Sequence, residues 1–152
     1  MNDGKQIEQV KLTLPAQAEY VDLVRLTLYG IASRIGFTYE EIEDMKVAVS
    51  EACNNSVLYA YNRHDGMVEI VFDIGEHELS LTVIDEGESF DANNKPNGVQ
   101  GWHHKQLDEV QAGGLGFYLM QALMDEVEIS STAGQGTVVK MKKRKLFSGE
   151  LL

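Results

Sequence analysis

The stretch Glu51-Ala52-Cys53-Asn54-Asn55 lies inside an amphipathic pattern that runs from Thr38 to about Ala60. A neighbouring helical stripe places Glu51 and Asn55 one turn apart on the same side. A carboxylate can accept a proton and a carboxamide oxygen can bind a hard cation, so the pair suits metal-assisted phosphate chemistry. The alternative is an ordinary solvated helix face. The residues of the buried face recur at steps of three and four: Ile42, Met45, Val49, Ala52 and Ser56.

The composition is that of one ordinary globular domain. The chain has 152 residues, 43% hydrophobic and 24% charged, which is enough to bury a single core. A net charge of −11 disfavours nucleic acid and anionic membranes as partners and suits a basic protein better. One cysteine excludes an internal disulfide, and no hydrophobic run approaches membrane-spanning length. No signal peptide is readable, so we expect a cytoplasmic protein folded as one domain over residues 1–152.

The first third of the chain predicts a strand and two helices. Apolar residues alternate with polar ones up to Pro15, which indicates a strand. A helix of roughly Glu19 to Arg34 follows, and we expect Gly36 to end it. Thr38 and Glu41 have the spacing of a capping box, in which two residues exchange hydrogen bonds between side chain and backbone.

A hairpin and a long loop are predicted next. Alternation over residues 68–74 and 79–83 indicates two strands joined at Gly75-Glu76-His77-Glu78. The same alternation brings Asp85 onto the inward-facing row, where a carboxylate needs a hydrogen-bond donor. Residues from about 88 to 112 lack periodicity, which is typical of a mobile functional loop.

The remaining sequence predicts one helix and two strands. We expect Gly113-Gly114-Leu115-Gly116 to open the helix, and Gly134-Gln135-Gly136 to turn into a last strand from Thr137 to Met141. The complete order gives an α/β two-layer sandwich, with a mixed β-sheet and helices packed on one face. A basic run is interpreted as solvated strand-end and tail residues, with a docking patch for an acidic surface as the alternative: Lys140, Lys142, Lys143, Arg144 and Lys145.

Three glycine-containing segments could form a nucleotide site together with the helical carboxylate and carboxamide. The inward Asp85 can accept a hydrogen bond from an exocyclic amine such as that of adenine, and Gly87 would let the base approach the backbone. Main-chain amides of Gly113-Gly114-Leu115-Gly116 at a helix start would bind phosphate. The hydroxyl of Thr137 could reach a phosphate or a bound water. Taken singly, each segment also fits a turn cap, a hinge or a hairpin turn.

Taken together and in this order, the segments resemble the histidine-kinase-like (GHKL) ATPase superfamily, with its Bergerat fold. That superfamily includes histidine-kinase catalytic domains, heat-shock chaperone ATPases, type II topoisomerases and mismatch-repair ATPases. Within it, the chain is similar to the small bacterial anti-sigma serine kinases of the anti-sigma-B type. The resemblance runs from about Lys11 to Lys143 and is weakest from Ala92 to Val110. Matching stretches are Leu14-Pro15-Ala16-Gln17, Glu41-Ile42-Glu43-Asp44, Val49-Ser50-Glu51-Ala52-Cys53, Asp85-Glu86-Gly87-Glu88-Ser89-Phe90-Asp91 and Gly113-Gly114-Leu115-Gly116-Phe117-Tyr118-Leu119-Met120.

The resemblance implies catalytic and adenine-binding roles for four residues. Glu51 would be the general base that accepts the proton of a substrate serine hydroxyl. Asn55 would be a ligand of Mg²⁺. Asp85 would read the adenine of ATP, with Gly87 beside it.

It also implies how the phosphates would be held. Gly114, Leu115 and Gly116 would bind them, and Thr137 would belong to the nucleotide pocket. The stretch of about 90–113 would be a lid that closes on ATP.

Two departures from the family pattern bear on these roles. Ser89 stands where the superfamily often has a second glycine after Gly87, in agreement with the anti-sigma-B branch. A sporulation relative has an arginine just before its second glycine segment, whereas this chain has Gln111-Ala112. Lys105 or a histidine of the predicted lid could supply the positive charge at the γ-phosphate instead.

The function implied by the resemblance combines a kinase with an inhibitor of transcription. The protein would bind and inhibit a general-stress sigma factor of the sigma-B type. It would also use ATP and Mg²⁺ to phosphorylate a serine of an anti-anti-sigma protein of the RsbV type. It would act as a homodimer and switch partners with the ATP-to-ADP ratio. Three alternatives are a nucleotide-dependent sigma-binding regulator without kinase activity, the catalytic module of a sensor histidine kinase, and a plain interaction domain.

Overall fold

The computed structural model describes residues 8–60, 66–85, 106–132 and 136–146. The longest element of these residues is the helix Tyr39–Ala60, which carries Glu51 and Asn55. In chain order the elements are β1 (Glu8–Pro15), a 3-10 turn (Ala18–Tyr20), α1 (Val21–Ile35), α2 (Tyr39–Ala60), β2 (Met67–Ile74), β3 (Glu78–Asp85), α3 (Gln106–Leu123), β4 (Glu126–Thr132) and β5 (Gly136–Arg144).

The strands of the described residues form one five-stranded sheet in the order β1-β2-β3-β5-β4. Helices α1 and α2 contact β2, α2 also contacts β3 and β5, and α3 contacts β4, so the predicted α/β two-layer sandwich is confirmed. The predicted mixed pairing is not observed, because all four pairings are antiparallel. Strand order along the chain does not determine direction, since a helical connection can return the chain to either end of a sheet. Here Thr137 near the start of β5 pairs with Asp85 at the end of β3, so the two strands run in opposite directions.

The core lies between the helices and the inward-facing rows of the three central strands. Each large apolar side chain buried there contributes roughly 1.5–3 kcal/mol relative to an exposed position. The largest fully buried side chains are Val24, Leu28, Met45, Val49, Ile70, Phe72, Leu79, Leu81, Val83, Met120 and Met141.

Both predicted helix boundaries between α1 and α2 are confirmed. Gly36 follows the last residue of α1 with φ of 101°, a left-handed conformation that glycine adopts without strain. The Thr38 amide donates to Glu41 Oε1 at 2.8 Å, and the Glu41 amide donates to Thr38 Oγ1 at 3.1 Å. The second oxygen of Glu41 accepts a hydrogen bond from the Leu146 amide at 3.0 Å. The capping box therefore also fixes the chain just after β5.

The basic run at the end of β5 takes part in the fold. Lys142 pairs with Glu78 at 3.7 Å, and Arg144 pairs with Glu126. Lys143 Nζ donates to the carbonyl oxygen of Leu123 at 2.7 Å. These contacts fit neither a purely solvated strand end nor a vacant docking patch. None of the helices in the residues that the structure describes is long and apolar enough to cross a membrane.

Candidate active site

Helix α2 places Glu51 and Asn55 at the margin of the core. Ala52 and Cys53 between them are fully buried, whereas Glu51 and Asn55 are half-buried and Asn54 is exposed. This follows from the helical period, because positions 51 and 55 face the same way and position 54 is turned about 100° from 55. The predicted juxtaposition of the carboxylate and the carboxamide is confirmed.

The turn before Glu51 is tied to α1. Arg25 Nε donates to Ser50 Oγ at 2.8 Å, and Ser50 Oγ donates to the carbonyl oxygen of Lys46 at 2.7 Å. Arg25 also pairs with Asp22 one turn before it. Side-chain contacts therefore hold α1 and α2 together next to Glu51.

Cys53 packs as a small apolar residue on the other side of the same turn. Burial raises the pKa of its thiol to about 12, and the positive charge of Arg25 offsets only part of that effect. At neutral pH the group is an uncharged thiol, which is not a nucleophile.

Gly116 of α3 lies directly against the Glu51 side chain. A Cβ atom placed on Gly116 would be 2.7 Å from Glu51 Oε1, 3.6 Å from its Cδ and 3.7 Å from its Cβ. Gly116 is buried, and α3 packs along α2. The structure thus brings together two of the predicted site residues from segments that are 65 positions apart in the sequence.

The start of α3 differs from the prediction. The helix runs from Gln106 to Leu123, so Gly113, Gly114, Leu115 and Gly116 lie inside it and do not open it. The expected phosphate site at a helix N-terminus is therefore not formed by this segment in the structure. Glycine disfavours a helix interior, which made Gly113 look like a boundary, and packing of α3 on α2 overrides that local preference. Leu115 is 58% exposed.

Asp85 and Thr137 are brought together by the sheet. Asp85, the last residue of β3, is 3% exposed and pairs in register with Val68 on one side and Thr137 on the other. Thr137 is half-buried, and the preceding residue, Gly136, has φ of 90°, which favours glycine at that position. The predicted inward position of Asp85 is confirmed.

Helix α2 connects the pair Glu51 and Gly116 with the pair Asp85 and Thr137. It contacts α3, β3 and β5, the elements that carry Gly116, Asp85 and Thr137. Gly87 and the part of the predicted lid up to residue 105, including Lys105, lie outside the described residues. The rest of that lid, from Gln106 on, is helical in the structure.

Lys143 is a structural residue of this region that no sequence pattern singled out. Its ammonium group caps the C-terminus of α3 through the Leu123 carbonyl at 2.7 Å and lies 3.9 Å from Asp44 Oδ2 on α2. Two hydrogen bonds of Asp125 add to this anchor: its backbone amide donates to the Lys142 carbonyl oxygen, and its side-chain Oδ2 accepts from the Arg144 amide. In the sequence, Lys143 was one member of a basic run, and nothing local distinguished it.

The side chains available as metal ligands suit a cation that is held mainly by the phosphate oxygens of a substrate. Among the described residues no group of three or more His, Cys, Asp and Glu side chains could hold a metal ion. The carboxamide oxygen of the half-buried Asn55 is one hard oxygen ligand of the kind that Mg²⁺ accepts. Mg²⁺ commonly takes one or two protein ligands and completes its shell with phosphate oxygens and water. The residues present fit that pattern.

Comparisons with known proteins agree with this architecture. Residues 14–143 match the family described as the histidine kinase-like ATPase domain. The chain is 44% identical over 145 residues to the serine-protein kinase RsbW of Bacillus subtilis, with 94% of this chain and 88% of the relative covered. It is 43% identical over 146 residues to that of Bacillus velezensis, covering 95% and 89%.

Two solved structures share the fold. The RsbU and RsbW domains of a Mycobacterium tuberculosis protein superpose with a TM-score of 0.66 at 22% identity, covering 91% of this chain and 32% of that one. The SiaB–SiaC complex from Pseudomonas aeruginosa gives a TM-score of 0.61 at 14% identity, covering 91% and 89%. With the sequence matches above, the conclusion is that this chain belongs to the histidine kinase-like ATPase domain family and, within it, to the group of RsbW serine-protein kinases.

Proposed function

We propose that this protein is an ATP-dependent serine protein kinase that also acts as an anti-sigma factor. The observation that carries the kinase proposal is the contact between Glu51 and Gly116, which sets a half-buried carboxylate against a glycine-rich segment of α3. Identity of 42–45% to relatives named serine-protein kinase RsbW supports the same reading.

ATP would be bound between the end of the sheet and α3. Asp85 would accept a hydrogen bond from the adenine amine, and Thr137 opposite it would belong to the same pocket, with Gly87 close to the base. Gly114, Leu115 and Gly116 would bind the phosphates. Cross-strand pairing of Asp85 and Thr137, and the position of α2 between these elements, support one shared site.

Phosphate binding by the glycine segment would require α3 to begin later than Gln106. Inside a helix each backbone N–H already donates to the carbonyl four residues earlier, so it is not available to a phosphate. Each glycine costs about 0.8–1.0 kcal/mol relative to alanine in a helix interior. Unwinding the first turns of α3 would therefore cost little free energy, and the released amides would point at the nucleotide.

The chemistry is a transfer of the γ-phosphoryl group to a serine hydroxyl. The bond between the γ-phosphorus and the bridging oxygen breaks, a bond from phosphorus to the serine oxygen forms, and ADP leaves with the bridging oxygen. Glu51 would take the serine proton, and Asn55 would hold Mg²⁺, which neutralises charge on the phosphate oxygens when bound. Positioning and charge neutralisation carry most of such a reaction, so a single well-placed base is sufficient.

The partners follow from the family and from the charge of the chain. The protein would bind a general-stress sigma factor of the sigma-B type and phosphorylate a serine of a small anti-anti-sigma protein of the RsbV type, choosing between them with the ATP-to-ADP ratio. A net charge of −11 favours basic partner surfaces. We further propose a cytoplasmic homodimer, for which the exposed Leu23, Leu26 and Tyr29 on α1 offer an apolar surface.

A transfer assay tests the kinase proposal. The purified protein is incubated with ATP labelled at the γ-phosphate, Mg²⁺ and the anti-anti-sigma protein of the same organism, and label on phosphoserine is measured after hydrolysis. The proposal predicts stoichiometric labelling of that protein and weaker binding to the kinase afterwards. Binding of ATP and of a sigma factor without any labelling would favour the regulator without kinase activity. Absence of ATP binding in a calorimeter would contradict both.

A further inference from the structure

The contact between Gly116 and Glu51 would affect catalysis if Glu51 is the general base, and this inference rests on that part of the proposed function. We propose that Gly116 is a positioning residue: its missing side chain lets the backbone of α3 form the wall against which the Glu51 carboxylate is oriented. This role differs from phosphate binding, because it concerns the base and exists before any nucleotide is present.

The distances determine what an added side chain would do. The atom nearest to a Cβ on Gly116 is Glu51 Oε1, at 2.7 Å, a separation that non-bonded atoms do not tolerate. The next nearest atoms, at 3.6 and 3.7 Å, also belong to Glu51 and are at ordinary contact distance. An alanine at 116 therefore collides with the end of a flexible side chain and not with backbone, so the carboxylate moves and the fold does not.

The two helices that frame this contact are held by other residues. Lys143 bonds to the last turn of α3 and lies 3.9 Å from Asp44 on α2. On the other side, Ser50 and Arg25 tie the turn before Glu51 to α1. These contacts restrain the C-terminal end of α3 and the turn before Glu51, and the atom in collision is the end of a flexible side chain, so displacement of the carboxylate is the way in which the collision is relieved.

The consequence for the reaction follows from the need for alignment. A general base must lie within hydrogen-bond reach of the hydroxyl that it deprotonates, and a displacement of about 1 Å can cost 10²-fold in rate. Gly116→Ala should therefore lower kcat at saturating ATP and saturating protein substrate. A residue that only binds phosphate would instead change the affinity for ATP and leave kcat at saturation unaltered.

A thermal unfolding cycle tests the contact without reference to activity. The variants are Gly116→Ala, Glu51→Ala and the double variant, with Gly30→Ala on α1 as control because a Cβ there meets nothing within 4 Å. In the Glu51→Ala background the collision is absent, so Gly116→Ala should raise Tm by roughly 2–4 °C, as a helical glycine-to-alanine exchange does. In the wild-type background we expect no rise or a fall, while Gly30→Ala raises Tm in both backgrounds.

The result that overturns the proposal is specific. An equal rise in Tm in both backgrounds would show that the carboxylate does not lie against Gly116, and an unchanged kcat at saturating ATP would show that its orientation does not depend on Gly116. If the wild type is an active kinase, either outcome refutes the positioning role of Gly116 and leaves the proposed kinase function standing. A wild-type protein that transfers no phosphate while the cycle shows coupling would instead refute the proposed function.

Discussion

Asp85 and Thr137 lie directly opposite each other on β3 and β5, and Asp85 is buried at the very end of its strand. A carboxylate can accept several hydrogen bonds at once, so a buried Asp85 with a partner inside the protein can still accept one from a ligand. An exocyclic amine of a purine is a suitable donor, whereas guanine presents a carbonyl oxygen at the corresponding position. The placement of Asp85 therefore predicts a nucleotide preference as well as an affinity.

Asp85→Asn should weaken ATP binding by about 10-fold or more and abolish discrimination between ATP and GTP, because a carboxamide can turn either a donor or an acceptor toward the base. Calorimetric titration with both nucleotides measures this. The matched control is Asp73→Asn on β2 of the same sheet. The Asp73 carboxylate accepts an exposed hydrogen bond from Gln9 of β1 at 2.7 Å. Unchanged ATP affinity in Asp85→Asn would remove Asp85 from the nucleotide site.

Asn55 and Asn54 form a natural pair of test and control on one helix. Asn55→Ala removes the proposed Mg²⁺ ligand and should raise the Mg²⁺ concentration that gives half-maximal phosphoryl transfer by about 10-fold or more. Asn54 is exposed and is turned about 100° around the helix from Asn55, so Asn54→Ala should leave the Mg²⁺ dependence as it is. Equal Mg²⁺ curves for the wild type and Asn55→Ala would contradict the assignment.

Gly114 tests whether α3 must unwind to bind nucleotide. Gly114→Ala should stabilise the helix by about 0.8–1.0 kcal/mol and raise Tm, while the affinity for ATP falls, because the helical state competes with phosphate binding. Gly30→Ala on α1 should produce a similar rise in Tm with unchanged ATP affinity. If Gly114→Ala binds ATP as tightly as the wild type, phosphate binding does not compete with the helix at this residue.

Cys53 provides a prediction about reactivity and pH. Since burial raises the pKa of its thiol to about 12, the folded protein should resist alkylation by iodoacetamide at pH 8 and react at once after unfolding. The stability that this pKa shift contributes is present below the ordinary thiol pKa of 9.0 and is lost as the pH rises toward 12. In urea unfolding, the free energy of unfolding of Cys53→Ala should therefore fall less between pH 9 and pH 12 than that of the wild type. Rapid alkylation of the native protein would contradict the buried position.

Local sequence signals predicted the parts of the fold that short-range physics controls. The exchange of hydrogen bonds between Thr38 and Glu41, the end of α1 at Gly36 and the stripe that carries Glu51 depend on residues within one or two turns. The inward direction of Asp85 followed from the alternation of its strand. These features needed no knowledge of distant contacts.

The remaining features depend on tertiary packing. The direction of β5, and hence the meeting of Asp85 with Thr137, is set by how the chain returns to the sheet after α3. The contact of Gly116 with Glu51 depends on the packing of α3 against α2, and that same packing extends the helix through glycines that alone favour a break. Lys143 acquires its two contacts only when α2 and α3 are in place.

The most direct test of the account is the rate of phosphoryl transfer by Glu51→Gln at saturating ATP. The amide keeps the shape of the side chain but cannot accept a proton, so transfer should fall about 10²-fold or more while the Kd for ATP stays within about threefold of the wild type. Glu43→Gln, a half-exposed position on the same helix that pairs with Lys46, should transfer phosphate at the wild-type rate. A Glu51→Gln variant as fast as the wild type would contradict the central claim that this carboxylate is the base.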